Sequence, residues 1–183
     1  MLIRAETSFL LIVDVQERLA PVMTDPRRVI RGCALLMRAA AQLGIPIVVS
    51  EQYPAGIGPT MFDLREWLPA DGAHAKLHFA CTDDPVIAPR LLALRDAGRR
   101  QAVVAGLEAH VCVLQTALGL MDNDFEPFVV ADASASRRPD SEELAWARLR
   151  HAGVGLVSLE MALFEWLRVA GTADFKALIA LIK

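Results

Sequence analysis

Short apolar runs rich in β-branched residues alternate along this chain with amphipathic helical stretches. The apolar runs predict strands at Ser8–Val13, Pro46–Ser50, His74–Phe79, Gln101–Ala105, Pro127–Ala131 and Val154–Val157. Helices are predicted between and after them at Pro26–Leu43, Pro85–Ala97, His110–Met121, Asp140–Ala152, Ala162–Val169 and Asp174–Ile182. Near-continuous apolar strands that alternate with helices are typical of a parallel sheet covered on both faces. The pattern therefore predicts one three-layer α/β domain over residues 1–183, with a six-stranded parallel sheet.

The composition and net charge indicate which partners this chain can have. A mean hydropathy of +0.36 is high for a folded domain of 183 residues, and it predicts a homo-oligomer whose subunits cover each other's apolar surface. The net charge of -3 gives no electrostatic signature of nucleic-acid binding. No apolar run reaches the roughly 20 residues that span a bilayer, so no membrane partner is expected. Cys33, Cys81 and Cys112 form neither an even disulfide set nor a CxxC pair, which predicts a reducing, cytoplasmic setting.

Polar residues at the predicted strand ends are the first candidates for function, because active sites of parallel sheets gather there. Asp14 stands at the end of the first strand and is either a structural loop aspartate or a catalytic carboxylate. An aspartate-nucleophile phosphatase would need a second acid two residues later, and Gln16 occupies that position, which argues against a magnesium site of that kind. Lys76 is either a solvated lysine or a cation that keeps a carboxylate ionised. His74 and His78 flank it, but two histidines without a third ligand are weak evidence for a metal.

Cys112 lies in the first turn of the helix that follows the fourth strand. A helix N-terminus is expected to lower the pKa of a thiol and to offer N–H groups to an oxyanion. The alternative is a small buried core residue, and position alone does not decide between the two. Cys33 is expected in the core and Cys81 in a polar loop. The sequence lacks a GxGxxG motif after the first strand, a Walker A motif and a GxSxG motif. Cys112 is therefore the best candidate for a catalytic residue.

Several segments together resemble the isochorismatase-like cysteine hydrolases. They are LLIVDVQERL (10–19), IPIVVSEQYPAGIGPT (45–60), KLHFAC (76–81) and VVAGLEAHVCVLQTALGLMDNDFEPFVVADASASR (103–137). They occur in family order and span nearly the whole chain. The EQYP and GLEAHVCVLQTAL wording is similar to the subgroup of isochorismatase domain-containing proteins.

The resemblance implies an isochorismatase-like, Rossmann-like sheet and a catalytic set of Asp14, Lys76 and Cys112. In that scheme Asp14 is the general base, Cys112 attacks the substrate carbonyl to form a thioester, and Lys76 stabilises the ion pair and orients Asp14. The resemblance also implies a cis peptide at Leu107–Glu108. The backbone N–H groups of Glu108 and Cys112 would then form the oxyanion hole.

Two departures from the family pattern shape the functional prediction. Ser50-Glu51-Gln52-Tyr53 replaces the Asp-x-His metal motif of nicotinamidase-type members, so neither a metal nor another cofactor is expected. Ala80 replaces the serine of the Lys-x-x-Phe-Ser motif, which affects substrate orientation. Strand-end positions predict that Gln16, Glu51 and Tyr53 bind the substrate.

The combined prediction is a metal-independent hydrolase of a small amide or ureide-like C–N bond. The alternatives are an isochorismatase-type ether (C–O) hydrolase, a non-catalytic oligomeric scaffold of the same fold, and a thiol redox sensor centred on Cys112. A redox sensor would need a resolving cysteine, and Cys81 is the candidate.

Overall fold

Six parallel strands form one sheet in the computed structural model, which describes residues 1–182. The strands are β1 (Ser8–Val13), β2 (Ile47–Gln52), β3 (His74–Lys76), β4 (Gln101–Leu107), β5 (Glu126–Ala135) and β6 (Gly155–Val157). Their order across the sheet is β3-β2-β1-β4-β5-β6, so β1 and β4 are central and β3 is an edge strand. The predicted three-layer α/β fold is confirmed.

Helices cover both faces of the sheet. They are α1 (Pro26–Gln42), α2 (Pro54–Ile57), α3 (Ala88–Asp96), α4 (Leu114–Asp122), α5 (Pro139–Ala152), α6 (Leu159–Leu167) and α7 (Ala173–Ile179). The apolar side chains of α1 and α6 pack on one face, and those of α3, α4 and α5 pack on the other. Among residues 1–182, no helix is both long and apolar enough to cross a membrane.

The central strand β1 shows why the sequence folds in this way. All six of its residues are buried, and successive side chains enter opposite cores. Leu10 and Ile12 pack under α1, whereas Phe9, Leu11 and Val13 pack under α3 and α4. This alternation is the period of a β-strand, and burial on both faces requires the uninterrupted apolar run seen in the sequence.

Several element boundaries differ from the prediction. β3 ends at Lys76 instead of Phe79, because the chain then turns and leaves His78 and Phe79 exposed. β2 continues two residues further than predicted, to Gln52, and pairs there with Lys76 of β3. The helix predicted from His110 begins as a single π-helical turn, Ala109–Val113, before α4.

The edge strand β3 is anchored by a buried histidine. His74 is 8% exposed, and its Nε2 lies 3.4 Å from Asp71 Oδ2, which also accepts a hydrogen bond from Arg90. Burial lowers the pKa of His74, and the positive charge of Arg90 lowers it further. The folded protein therefore favours the neutral imidazole.

We expect this histidine to make stability depend on pH. The unfolded state binds the proton with a pKa near 6.5, above the lowered folded value, so the free energy of unfolding falls as the pH drops from 6.5 through the folded pKa. Urea unfolding between pH 5 and 8 measures this slope, and His74→Gln should reduce it. Equal slopes in the wild type and the variant would contradict the assignment.

Candidate active site

Asp14 follows β1 directly and is fully buried. Its backbone adopts a left-handed φ of 52°, a conformation that aspartate tolerates better than most residues. Its Oδ2 accepts a hydrogen bond from Lys76 Nζ at 2.8 Å, and its Oδ1 accepts one from Ser50 Oγ at 2.7 Å. Two donors thus hold the carboxylate in one orientation, and one of them carries a positive charge.

Lys76 ends β3, two strands away from β1, and its side chain is completely enclosed. Its ammonium group also donates to Gln52 Oε1 at 2.6 Å and to the backbone carbonyls of His78 and Phe79. Burial on its own lowers the pKa of Lys76, but the charge and hydrogen bond of Asp14 raise it above the ordinary value. The lysine is therefore a buried cation, and the alternative of a solvated surface lysine is wrong.

Cys112 lies in the π-helical turn between β4 and α4, beside the carboxylate of Asp14. The peptide bond Leu107–Glu108 that precedes this turn is cis. Burial raises the pKa of the Cys112 thiol, the negative charge of Asp14 raises it further, and the positive charge of Lys76 partly opposes them. The expected lowering by the helix N-terminus is wrong, because desolvation and an adjacent anion outweigh it. The resting thiol keeps its proton, and the role of Asp14 as its acceptor stays a prediction.

Gly106 of β4 allows this turn to come close to β1. Its φ of +127° lies in a region of backbone conformation that residues other than glycine rarely adopt. A Cβ at this position would also collide with the backbone carbonyl of Val13, the residue before Asp14. The glycine therefore permits the close packing of the two strand ends that carry the carboxylate and the thiol.

Cys81 is a second thiol next to this site. It follows β3 in a turn, but it is fully buried instead of lying in an open polar loop, and its backbone N–H donates to Thr116 Oγ1 at 2.9 Å. Burial and the charge of Asp14 raise the pKa of Cys81 to about 11. Cys33 lies in the core as predicted, on the buried face of α1, where burial raises its pKa.

The sequence pattern assigned no catalytic or binding role to Ser50 or Gln52. They stand two residues apart on β2, so their side chains leave the same face of the sheet, toward the Asp14–Lys76 pair. The register supports this, because Ser50 pairs with Val13 of β1 and Gln52 pairs with Lys76 of β3. Their period-two spacing after an apolar strand was the available signal, but strand order was needed to interpret it.

Gln16, a predicted substrate residue, is fully buried. Its Nε2 donates to the carbonyls of Gln52 and Gly58 at 3.0 and 2.6 Å, and its Oε1 accepts from the Gln52 N–H at 2.7 Å. These bonds fasten the loop after β2 to the end of β1. The geometry gives Gln16 a structural role, and substrate contact by its side chain stays a prediction.

The other two predicted substrate residues are Glu51, which lies near the end of β2, and Tyr53, which follows that strand. The Glu51 carboxylate accepts hydrogen bonds from the backbone N–H and the hydroxyl of Thr60, both at 2.6 Å. Tyr53 is 54% exposed and lines an apolar cleft of about 330 Å³ beside Lys76 and Val86. Tyr53 is therefore the more accessible of the two, and both remain predicted substrate contacts.

The Glu108 side chain does not enter the Asp14–Lys76 cluster. It is 7% exposed, and its carboxylate accepts hydrogen bonds from the Arg137 side chain at 3.0 Å and from the Arg137 backbone N–H at 3.2 Å. This leaves only the backbone of Glu108 for the predicted oxyanion hole, which stays a prediction together with the N–H of Cys112.

Residues 1–182 contain no group of three or more histidine, cysteine or acidic side chains arranged to hold a metal ion. His74 is directed to Asp71, and His78 lies 3.4 Å from Asp84, so the two histidines that flank Lys76 have separate partners. The structure thus offers no metal ligand set around Lys76. Activity without a metal remains a prediction about the reaction.

Comparisons with known proteins agree with this fold. A sequence profile of the isochorismatase domain matches residues 8–161. Isochorismatase domain-containing protein 1 of Danio rerio is 36% identical over 179 residues, which cover 97% of this chain and 61% of that protein. The structure of MAR1 ribonuclease from Caenorhabditis elegans has a TM-score of 0.91 and 30% identity, covering 100% of this chain and 92% of that one. YcaC from Pseudomonas aeruginosa, solved with hexane-2,5-diol and covalent acrylamide, has a TM-score of 0.90 and 25% identity, covering 98% and 91%.

The chain belongs to the isochorismatase family, and this membership supports a hydrolase activity. Within the family, the predicted similarity to the isochorismatase domain-containing proteins is confirmed.

The buried ion pair predicts a non-additive response to mutation. Lys76→Met leaves the Asp14 carboxylate buried without its counter-charge, and we expect a loss of about 3–5 kcal/mol in the free energy of unfolding. Adding Asp14→Asn removes that charge, so the double variant should lose much less than the two single variants combined. Urea unfolding of the four proteins measures the coupling, and additive losses would show that the pair does not act as a unit.

Proposed function

We propose that this protein is a metal-independent cysteine hydrolase that cleaves the C–N bond of a small amide or ureide-like substrate through a thioester. The observation that supports this most directly is the fully buried ion pair of Asp14 and Lys76, whose charges both act on the adjacent Cys112 thiol. A nucleophile, a base and a group that orients the base are the parts that covalent hydrolysis requires.

The first half of the reaction transfers the acyl group to sulfur. Asp14 takes the thiol proton while Cys112 Sγ attacks the substrate carbonyl carbon, and the carbonyl oxygen becomes an oxyanion. Backbone N–H groups of Glu108 and Cys112 would bind that oxygen. Collapse of the tetrahedral intermediate breaks the C–N bond, and the proton held by Asp14 moves to the departing nitrogen. The acyl group remains on Cys112 as a thioester.

The second half regenerates the enzyme. Asp14, ionised again, takes a proton from water as the water oxygen attacks the thioester carbon. The intermediate collapses, sulfur leaves and recovers a proton from Asp14, and the acid product departs. The positive charge of Lys76 is favourable in both halves of the reaction. It faces the Asp14 carboxylate at rest, and it lies near the Cys112 thiolate once Asp14 is protonated.

The enclosure of the site supports a small substrate. Asp14 is fully buried, Lys76 is 2% exposed and Cys112 is 6% exposed, so only a compact acyl group reaches the sulfur. The related YcaC structure, which contains covalently bound acrylamide, shows that a small amide-bearing molecule reacts with that protein. Acrylamide is therefore a suitable probe for Cys112.

The pH dependence of thiol alkylation tests the roles of the three residues without a known substrate. Asp14 raises the pKa of Cys112 and Lys76 lowers it, so Asp14→Asn should shift the alkylation midpoint to lower pH, and Lys76→Met to higher pH. Acrylamide modification of the Cys112 peptide is followed by mass spectrometry. The peptides with Cys33 and Cys81, both fully buried, are internal controls that should remain unmodified in the folded protein.

If neither substitution moves the midpoint, the thiol is not coupled to the ion pair and the proposed mechanism fails. The same conclusion follows if all three cysteines react alike.

Turnover of small amides and ureides tests the reaction itself. We expect activity to survive dialysis against a chelator, and rapid quenching to leave the mass of an acyl-enzyme on the Cys112 peptide. In Cys112→Ala, kcat should fall by about 10³-fold or more. Cys33→Ala is the matched control, because this cysteine lies on the buried face of α1 and its thiol contacts the carbonyl of Ala133 instead of the proposed catalytic groups. Loss of activity on chelation would contradict the metal-free reaction.

The same variants separate the C–N hydrolase from its alternatives. An isochorismatase-type ether hydrolase needs the Asp14 carboxylate but no sulfur nucleophile, so Cys112→Ala would retain vinyl-ether cleavage and form no acyl-enzyme. A non-catalytic scaffold would turn over neither class, although the buried Asp14–Lys76 pair and the adjacent thiol would then have no evident purpose. The relative described as a ribonuclease makes RNA a necessary additional substrate in the screen.

A further inference from the structure

A groove of about 840 Å³ lies on the outer surface of α1, away from the catalytic set. One wall is α1, and the other is the 3₁₀-helical segment Phe62–Trp67. Neither Asp14, Lys76 nor Cys112 lines it. Substrate binding at the sulfur therefore does not account for this groove.

The floor of the groove is apolar and partly aromatic. Ile30, Ala34 and Leu35 of α1 face Trp67, whose ring is covered on one side by Arg38, with 5.7 Å between the guanidinium carbon and the ring centroid. Phe62 lines the rim and is 77% exposed. An exposed phenylalanine beside an apolar floor is costly in water and is typical of a surface that a protein covers.

The two walls carry opposite charges. Arg27 and Arg31 stand one helical turn apart on α1, and Asp63 and Glu66 stand on the 3₁₀-helical segment. Over residues 1–182 the side chains of these four residues form no ion pair or hydrogen bond with each other or with another group. By contrast, Arg65 in the same groove is already bound to Glu17. The arginines and the acids thus face the groove as two separate, unsatisfied rows.

We propose that this groove is a two-fold interface between two copies of the chain. A two-fold axis along the groove brings the α1 wall of each copy against the acidic wall of the other, so Arg27 and Arg31 meet Asp63 and Glu66 twice. The same axis packs Phe62 of each copy against the apolar floor of its partner. The contact is independent of the proposed reaction, and it agrees with the high mean hydropathy of the chain.

The charge pattern favours a second copy over a small anionic ligand. On the second wall Arg65 is already bound to Glu17, and the Asp63 and Glu66 carboxylates beside it would repel a phosphate or carboxylate group. An isologous contact instead requires both signs on one surface, because each patch must complement itself.

Charge reversal and mixing test the arrangement. One variant carries Arg27→Glu with Arg31→Glu, and the other carries Asp63→Arg with Glu66→Arg. Each variant alone opposes like charges across the axis, so its molar mass by light scattering should fall to half of the wild-type mass or less. Mixed in equal amounts, the two variants oppose unlike charges at both contacts and should recover the wild-type mass. Recovery on mixing also shows that both variants are folded.

Two further variants complete the test. Arg148→Glu with Arg150→Glu makes the same charge change on α5, which packs on the opposite face of the sheet, and should keep the wild-type mass. Phe62→Ser removes the proposed aromatic anchor and should raise the dissociation constant about tenfold or more. A monomeric wild type, wild-type mass in either reversed variant, or failure of the mixture to associate would each overturn the proposal.

Discussion

The ion pair between Asp14 and Lys76 is the constraint on which the rest of the structure depends. Taking both charges out of water costs several kcal/mol for each ion, so the pair survives only because other groups complete its hydrogen bonds. Ser50, Gln52 and two backbone carbonyls supply them. Because these donors and acceptors come from β2 and from the turn after β3, the order β3-β2-β1 across the sheet is a requirement of the site as well as of the fold.

The raised pKa of the Cys112 thiol determines when this group can act as a nucleophile. A cysteine that is ionised at rest would react with any electrophile that reaches it, whereas a protonated thiol beside a fixed carboxylate becomes nucleophilic only as its proton moves. The position of the carboxylate then controls reactivity. Cys81 lies near the same charges but is fully enclosed, so access as well as charge separates the proposed nucleophile from its neighbour.

The local sequence was sufficient to predict the central strands and the polar residues at their carboxyl ends. The five apolar residues of β1, Phe9 to Val13, and the acid that follows them predicted both the strand and Asp14. The strand pattern failed at His78 and Phe79, where alternation continues but the chain has already left the sheet. The contacts of Ser50, the burial of Cys81 and the raised pKa of Cys112 depend on which strands are neighbours. That information lies in pairings between residues far apart in sequence.

The shortness of β3 has a consequence for how the Asp14–Lys76 ion pair comes apart. Lys76 is held by a strand of three residues at the edge of the sheet, paired on one side only, with β2. Edge segments with few backbone hydrogen bonds open at lower free energy than the central strands around them. Transient fraying of this edge would withdraw the ammonium group while β1 and β4 stayed intact. Loss of the Asp14–Lys76 ion pair on warming would then precede global unfolding, and amide hydrogen exchange at β3 would report it first.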